Sequence, residues 1–163
     1  MPPMTTDQDL GPLNSTPPGL YRHHKGGWYE VLDTVRCSET LQGMTLYRAL
    51  YGERGLWVRP AAMFAEEGLW GGRLQPRFTP IAWRSLIPQD LPTAQALVAH
   101  VSRLLDEAGS THRPPPPEPD TCCGRGCNGC VWEGFYSALL YWRDDAAELL
   151  DASAAPDPVH HLG

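Results

Sequence analysis

The hydrophobic residues of this chain change their spacing near residue 90, and this change restricts its fold more than any other feature. Before that point, apolar and aromatic residues alternate with polar ones in short runs separated by turns, as in β-strands. Between Ala94 and Ala108 they recur every three or four positions, as in an amphipathic helix. A second helical stripe extends from about Val131 to Asp151. Strands followed by helices predict an α+β protein.

The strand region begins at Gly19 and contains several short runs. In the first run, Tyr29, Val31 and Val35 are predicted to lie on one face, with Glu30 and Thr34 on the other. Further strands are predicted at Met44–Tyr51, Leu56–Arg59 and Arg77–Ile81. Several short strands with frequent turns favour a small roll or barrel.

The helical region has recognisable boundaries. Asp90 and Thr93 are both candidate N-caps for the first helix, and Gly109 is a natural stop. Four consecutive prolines, Pro114–Pro117, then favour a stiff polyproline II spacer, with an SH3 ligand as the alternative. The second helix has a predicted apolar face of Trp132, Tyr136, Leu139, Leu140, Ala147 and Leu150.

Together these patterns divide the chain into six predicted segments. They are a disordered leader at 1–16, a β domain at 17–88, a connecting amphipathic helix at 89–109, a Pro-rich linker at 110–119, a Cys-rich loop and helix at 120–152, and a flexible tail at 153–163. No apolar run reaches the roughly 18 residues that cross a membrane, and the N-terminus lacks a secretory signal. We therefore expect a cytoplasmic protein with reduced thiols and no membrane partner.

Four of the five cysteines fall within nine residues, at Cys122, Cys123, Cys127 and Cys130. Thiolates are soft ligands suited to zinc or an iron–sulfur cluster, and the intervening glycines let the backbone bring the sulfurs together. We therefore predict a metal site at these four residues. Adjacent side chains diverge, so three sulfurs with Asp120 or His112 form an alternative ligand set. Thiol–disulfide exchange through Cys127 and Cys130 is a second reading, and idle reduced thiols are a third.

The same segment resembles the oxidoreductase-like family. That family's motif has a proline- and acid-rich lead, paired cysteines, Gly-Cys-x-x-Cys-Val-Trp and a following helix. Its counterparts here are Pro115–Asp120, Cys122-Cys123, Gly126-Cys127, Cys130-Val131-Trp132 and Tyr136. The resemblance implies a shared role for the four cysteines, but the family has no defined reaction.

The β region resembles domain-of-unknown-function family 1653, a family of uncharacterised bacterial domains. The matching residues are Gly19–His23, Lys25-Gly26, Tyr29, Val31, Ser38–Thr40, Tyr47–Gly52, Leu56–Pro60 and Met63-Phe64. The resemblance implies a small SH3-like β roll. His24 stands where the family usually has an aromatic residue, and Cys37 stands where the family often has a His.

Basic and aromatic residues are interleaved in this β region. The candidate ligand-binding residues are His23, Lys25, Tyr47, Arg48, Trp57 and Arg59. Cations beside aromatic rings suit a small anionic or aromatic ligand, including a nucleotide, or an unknown protein partner. The alternative is structural, with the aromatics in the core and the arginines paired with Glu30 or Glu39. Residues 17–88 carry nine Lys or Arg against six Asp or Glu, which gives only weak support for nucleic-acid binding.

We find no convincing catalytic constellation, so an enzymatic activity is uncertain and would have to involve the cysteines. His23 and His24 lack an obvious nucleophile, and Glu66-Glu67 point apart as neighbours. The sequence therefore predicts a two-module protein with a ligand- or partner-binding β domain and a zinc or iron–sulfur motif. The alternative function is redox, either as an iron–sulfur electron carrier or through dithiol exchange.

Overall fold

Strands and helices follow one another in the predicted order. The computed structural model describes residues 10–120 and 130–154. The chain divides into two compact units, Met1–Ile81 and Ala82–Gly163. The first contains an antiparallel sheet and the second contains two long helices, so the α+β class is confirmed.

Five strands form the main sheet: β1 Gly19–His23, β2 Trp28–Arg36, β3 Gly43–Ala49, β4 Leu56–Pro60 and β7 Phe78–Ile81. Their order across the sheet is β4-β3-β2-β1-β7. Strands β5 (Glu67–Trp70) and β6 (Arg73–Pro76) form a separate hairpin. A closed barrel needs hydrogen bonds between its first and last strands. Within the described residues β4 pairs with β3 alone and β7 with β1 alone, so the sheet is open and the predicted barrel is wrong.

A β-bulge in β2 changes which side chains face the core. Val31 pairs with Tyr47, but after the shift in register it is Thr34, not Val35, that occupies the same face, opposite Thr45. An extra residue in one strand reverses the alternation beyond it. The prediction that Val35 shares a face with Val31 is therefore wrong.

The core of this unit is mostly aromatic. It consists of Tyr21, Val31, Tyr47, Phe64 and Phe78, with Tyr29 half-buried beside them. Phe64 comes from the short helix α1 (Ala61–Phe64), and its ring stacks on Phe78 at a centroid distance of 4.0 Å. Such ring pairs add to the stabilisation that comes from burial alone.

Part of the predicted leader lies against the sheet. The Thr16 N–H donates to Thr34 Oγ1 at 2.9 Å, and the Thr16 and Thr45 hydroxyls are 2.6 Å apart. Arg36 donates to the Gly11 carbonyl at 2.7 Å. In residues 10–16 the structure therefore has hydrogen-bonded chain where the sequence predicted disorder.

The second unit is built on α2 (Leu91–Glu107) and α3 (Val131–Ala154). Asp90 caps α2 by accepting the Thr93 N–H at 2.8 Å, and Gly109 follows the helix with a left-handed φ of 62°. The buried residues of the core are Ala94, Leu97, Val101, Leu105, Phe135, Leu139, Trp142 and Ala146. None of the described helices is long and apolar enough to span a bilayer.

The predicted apolar face of α3 is only partly right. Its buried stripe runs through Phe135, Leu139, Trp142 and Ala146, of which only Leu139 was predicted. Trp132, Tyr136 and Leu150 are half-buried and pack around that stripe. Several apolar rows coexist on this long helix, so its sequence does not single out the one facing α2.

Helices α2 and α3 run parallel. Burial, then the charges of Asp90 and Cys130, raise the pKa of Tyr136. Asp90 caps α2, whereas Tyr136 lies in the second turn of α3 and Cys130 directly precedes that helix. Because these charges act on Tyr136, the starts of both helices lie close together. At the other ends, the hydroxyl of Ser110, just after α2, is 2.9 Å from that of Ser153 in the last turn of α3. A parallel pair requires a connection that returns along the helices. We call residues 110–120 the return segment.

The proline content of the return segment matches this requirement. Its eleven residues would reach about 34 Å at the polyproline II rise of about 3.1 Å each. The 17 residues of α2 span about 26 Å at about 1.5 Å each. The prolines therefore keep the chain extended over the distance it must cover.

The return segment is held along the helices by side-chain contacts. The Trp142 indole N–H donates to the Arg113 carbonyl at 2.9 Å, and Arg113 pairs with Asp145. Near the start of α2, the Gln95 amide donates to Glu118 at 2.9 Å. The segment that the sequence suggested as a spacer is thus packed against the helices it connects.

Candidate functional site

Strand pairing puts two of the candidate ligand-binding residues on the aromatic face of the sheet. Trp57 lies opposite Tyr47, and Arg59 lies opposite Thr45, so both share the face of the core tyrosine. Arg48 lies one position along from Tyr47 and therefore on the other face, where it donates to the Arg54 carbonyl at 2.7 Å.

His23 stands at the end of β1, on the aromatic face. Its ring contacts Phe78 and Tyr29, with centroid distances of 4.8 and 6.2 Å. Burial, then the nearby positive charges of His24, Arg77, Lys25 and Arg59 in that order, lower the pKa of His23 to about 4. At pH 7 the ring is therefore neutral. Because Nδ1 accepts the Lys25 backbone N–H at 3.1 Å, the proton of the neutral ring resides on Nε2.

The Arg59 side chain has donors without acceptors. Its Nε is buried and makes no hydrogen bond, and its guanidinium donates to no residue in the described part of the chain. Its charge acts on Tyr29, opposing the rise in that residue's pKa that burial and the Tyr51 hydrogen bond cause. Since a buried donor without a partner destabilises the fold by about 1–3 kcal/mol, this arrangement needs an explanation.

Arg77 is a second basic residue near His23, but it already forms an ion pair. The His24 ring stacks on Trp70 at 4.2 Å between centroids, and the Arg77 guanidinium lies 5.1 Å from the Trp70 ring centroid. Arg77 forms an ion pair with Glu66, although its buried Nε has no partner. Arg77 therefore adds no unpaired charge beside His23.

The charges around His23 consequently do not cancel. The Arg77–Glu66 pair is neutral overall, and His23 itself is neutral at pH 7. Lys25 and Arg59 remain, and neither forms an ion pair within the described ranges. Opposite charge is attracted to such a site, and more strongly where aromatic walls exclude water.

A cleft in the same unit has a different character. It has a volume of about 440 Å³ and is lined by Asn14, Ser15, Thr16, Pro17, Tyr21, Ala61, Ala62, Phe64, Ala65, Glu67, Pro76, Phe78 and Pro80. Its described lining contains no basic residue and one carboxylate, Glu67. The cleft therefore does not favour an anion, in contrast to the surroundings of Arg59.

Of the four predicted metal ligands, Cys130 alone lies within the described residues. It directly precedes α3, and its carbonyl accepts the N–H groups of Glu133 and Gly134. Cys122, Cys123 and Cys127 lie outside the described residues. Residues 10–120 and 130–154 contain no cluster of three His, Cys, Asp or Glu that could hold a metal ion. The four-cysteine site stays a prediction.

Comparison with known proteins identifies both modules. A family model described as a protein of unknown function (DUF1653) matches residues 19–80. The crystal structure of a DUF1653 protein from Bordetella bronchiseptica is 34% identical, with 40% of this chain and 87% of that chain covered and a TM-score of 0.39. The chain belongs to the DUF1653 family.

The second module also matches a family model. Residues 106–151 match the one described as oxidoreductase-like protein, N-terminal. Both resemblances read from the sequence are therefore confirmed. None of the curated proteins compared with this chain matches it.

Within the DUF1653 domain, the six candidate residues separate into groups. Lys25 and Arg59 each lie close enough to His23 for their charge to lower its pKa, and Trp57 is exposed on the face that carries Arg59. Tyr47 is buried in the core beneath them. Arg48 lies on the opposite face.

Sequence reasoning missed the other residues around His23. Arg77 lies near His23 because β1 pairs with β7, and Trp70 of the β5–β6 hairpin stacks on the adjacent His24. No local sequence pattern predicts these long-range contacts. The position of Tyr29 was predictable, because it belongs to an alternating strand pattern and that strand pairs with the one that carries His23.

Proposed function

We propose that this chain is a two-module binding protein. Its DUF1653 domain, within residues 17–88, binds a small anionic ligand, and its segment 120–152 holds zinc or an iron–sulfur cluster through Cys122, Cys123, Cys127 and Cys130. We also propose that the open sheet with its hairpin is the SH3-like roll of this family.

One observation carries the ligand-binding proposal. The Arg59 guanidinium has no acceptor in the described part of the chain, although its Nε is buried on an aromatic face. Guanidinium groups form strong, paired hydrogen bonds with carboxylates and phosphates. An oxyanion from solution would supply the missing acceptors.

Thermal unfolding in the presence of inorganic phosphate tests this role. At constant ionic strength, a ligand that binds only the folded state raises the melting temperature. We expect phosphate to raise the Tm of the wild type more than that of Arg59→Gln. Phosphate also stabilises proteins without binding a site. Equal increases in both proteins would show only that general effect and would contradict the proposal.

The metal-binding proposal depends on the chemistry around Cys130. The starts of α2 and α3 lie together near this residue, and the N-terminal end of a helix stabilises negative charge. A zinc ion with four thiolates carries a net negative charge, so its ligands suit this position. Bound metal would supply folding energy to a segment too short for its own core. Because the ligands must be thiols, we propose that the protein acts in a reducing compartment such as the cytoplasm.

Elemental analysis of protein without a histidine tag tests the metal site. We expect about one zinc ion per chain, or iron with sulfide. Cys130→Ser should lose the metal, and Cys37→Ser should retain it because Cys37 lies in the other unit. Metal-free wild-type protein, or metal unaffected by Cys130→Ser, would exclude the proposed site.

A redox role is the second candidate, and the match of residues 106–151 to the oxidoreductase-like model favours it. A brown protein with visible absorption that bleaches on reduction would indicate an iron–sulfur electron carrier. A colourless, metal-free protein whose Cys127 and Cys130 form a disulfide reversibly with glutathione would indicate dithiol exchange.

A further inference from the structure

The unpaired positive charges near the aromatic face indicate which class of anionic ligand the domain binds. Arg59 and Lys25 lack ion-pair partners in the described part of the chain, whereas Arg77 is paired with Glu66. A carboxylate carries one negative charge, and a phosphate monoester carries about 1.5 to 2 at pH 7. Two unpaired cations therefore match a phosphate monoester better than they match a carboxylate.

An aromatic side chain lies on the same face as Arg59. Trp57 is 60% exposed and precedes Arg59 by two residues in β4. Residues two apart in a strand point to the same face about 6.6 Å apart. A ligand ring can therefore stack on the indole while an attached anion reaches the guanidinium.

His23 completes the site as a neutral donor. Its Nδ1 is occupied by the Lys25 backbone N–H, which leaves the Nε2–H free to donate. A neutral donor adds a hydrogen bond to an oxyanion without adding a third positive charge.

We infer that this face of the DUF1653 domain binds an aromatic phosphate monoester, with the phosphate at Arg59 and the ring on Trp57. Nucleoside monophosphates belong to this class. This inference rests on the proposed anion-binding role of the domain, and it adds the ring and the charge of the ligand.

Calorimetric titration of the full chain with AMP tests it. Adenosine supplies the ring alone, inorganic phosphate supplies the anion alone, and benzoate supplies a ring with a single charge. We expect AMP to bind at least about tenfold more tightly than each of the other three, because ring and anion contribute together.

Substitutions of Arg59 and Trp57 test the contact with the phosphate and the contact with the ring separately. Arg59→Gln should weaken AMP binding at least about tenfold, and Arg59→Lys, which keeps the charge, should weaken it less. Trp57→Ala should weaken AMP binding but leave phosphate binding unchanged. Arg73→Gln removes an exposed arginine of the β5–β6 hairpin and should change neither. Circular dichroism of each variant establishes that the fold is intact.

The outcomes separate this inference from the proposed function. AMP affinity that equals phosphate affinity, or that survives Arg59→Gln, overturns the inference. Benzoate or phosphate binding that depends on Arg59, with no preference for AMP, overturns the inference but leaves the anion site standing. If none of the four compounds binds in an Arg59-dependent way, both fail.

Discussion

The contact between Trp142 and the return segment offers a quantitative test of the helical unit. Trp142 is 2% exposed, and its indole N–H donates to the Arg113 carbonyl at 2.9 Å. Trp142→Phe removes that hydrogen bond, which contributes about 1 kcal/mol. It also leaves a smaller ring in a packed core, which costs about 1–2 kcal/mol more. We therefore expect the free energy of unfolding to fall by about 2–3 kcal/mol.

Urea denaturation of the full chain measures this change. The helical signal at 222 nm reports mainly on the second unit, because both long described helices lie there. Tyr141→Phe is the matched control, since Tyr141 is 72% exposed and its change should alter stability by less than about 0.5 kcal/mol. If Trp142→Phe is no less stable than Tyr141→Phe, the return segment is not packed on α3 as described.

Three further predictions concern other parts of the fold. Phe64→Ala should destabilise the β unit by about 3–5 kcal/mol in chemical denaturation, whereas Met63→Ala, which changes a neighbouring exposed residue, should have little effect. Asp90→Ala should cost the helical unit about 1 kcal/mol through the lost N-cap, and the exposed Asp106→Ala serves as its control. Burial lowers the pKa of His100 from 6.5 to about 4, so the unfolded chain binds a proton first as the pH falls. Stability should therefore decrease from pH 6.5 to pH 5 by up to about 2 kcal/mol, and His100→Gln should show a shallower decrease if this reasoning holds.

Features that depend on neighbouring residues were predictable from the sequence. The Asp90 cap and the Gly109 stop of α2 follow from local hydrogen bonding and from the freedom of glycine to adopt positive φ. The strands β2, β3, β4 and β7 lie where alternation and turns put them. Local propensity agrees with the final structure at all these places.

Features that depend on distant partners were not predictable. The bulge after Val31 reflects the register between β2 and β3, and a reversed face cannot be read from alternation alone. The prolines of the return segment indicate an extended chain, but they do not indicate that it packs against Trp142. Which row of α3 faces α2 is likewise decided by packing.

The candidate site likewise has features that the sequence suggested and features that depend on distant partners. Residue type alone suggested His23 and Arg59 as candidates, because cations beside aromatic rings can take part in binding a ligand. Sequence reasoning could not establish that Arg59 lacks an acceptor in the described residues while Arg77 has Glu66. That difference depends on where each strand places its side chains.

Nuclear magnetic resonance of the arginine Nε–H groups tests the central claim most directly. The claim is that the Arg59 guanidinium, which has no acceptor within residues 10–120 and 130–154, binds an oxyanion from solution. During titration with AMP, the Arg59 Nε–H signal should shift progressively and saturate, while that of the exposed Arg73 stays in place. An Arg59 signal that does not move at millimolar AMP, or that moves only in step with Arg73, would contradict the claim.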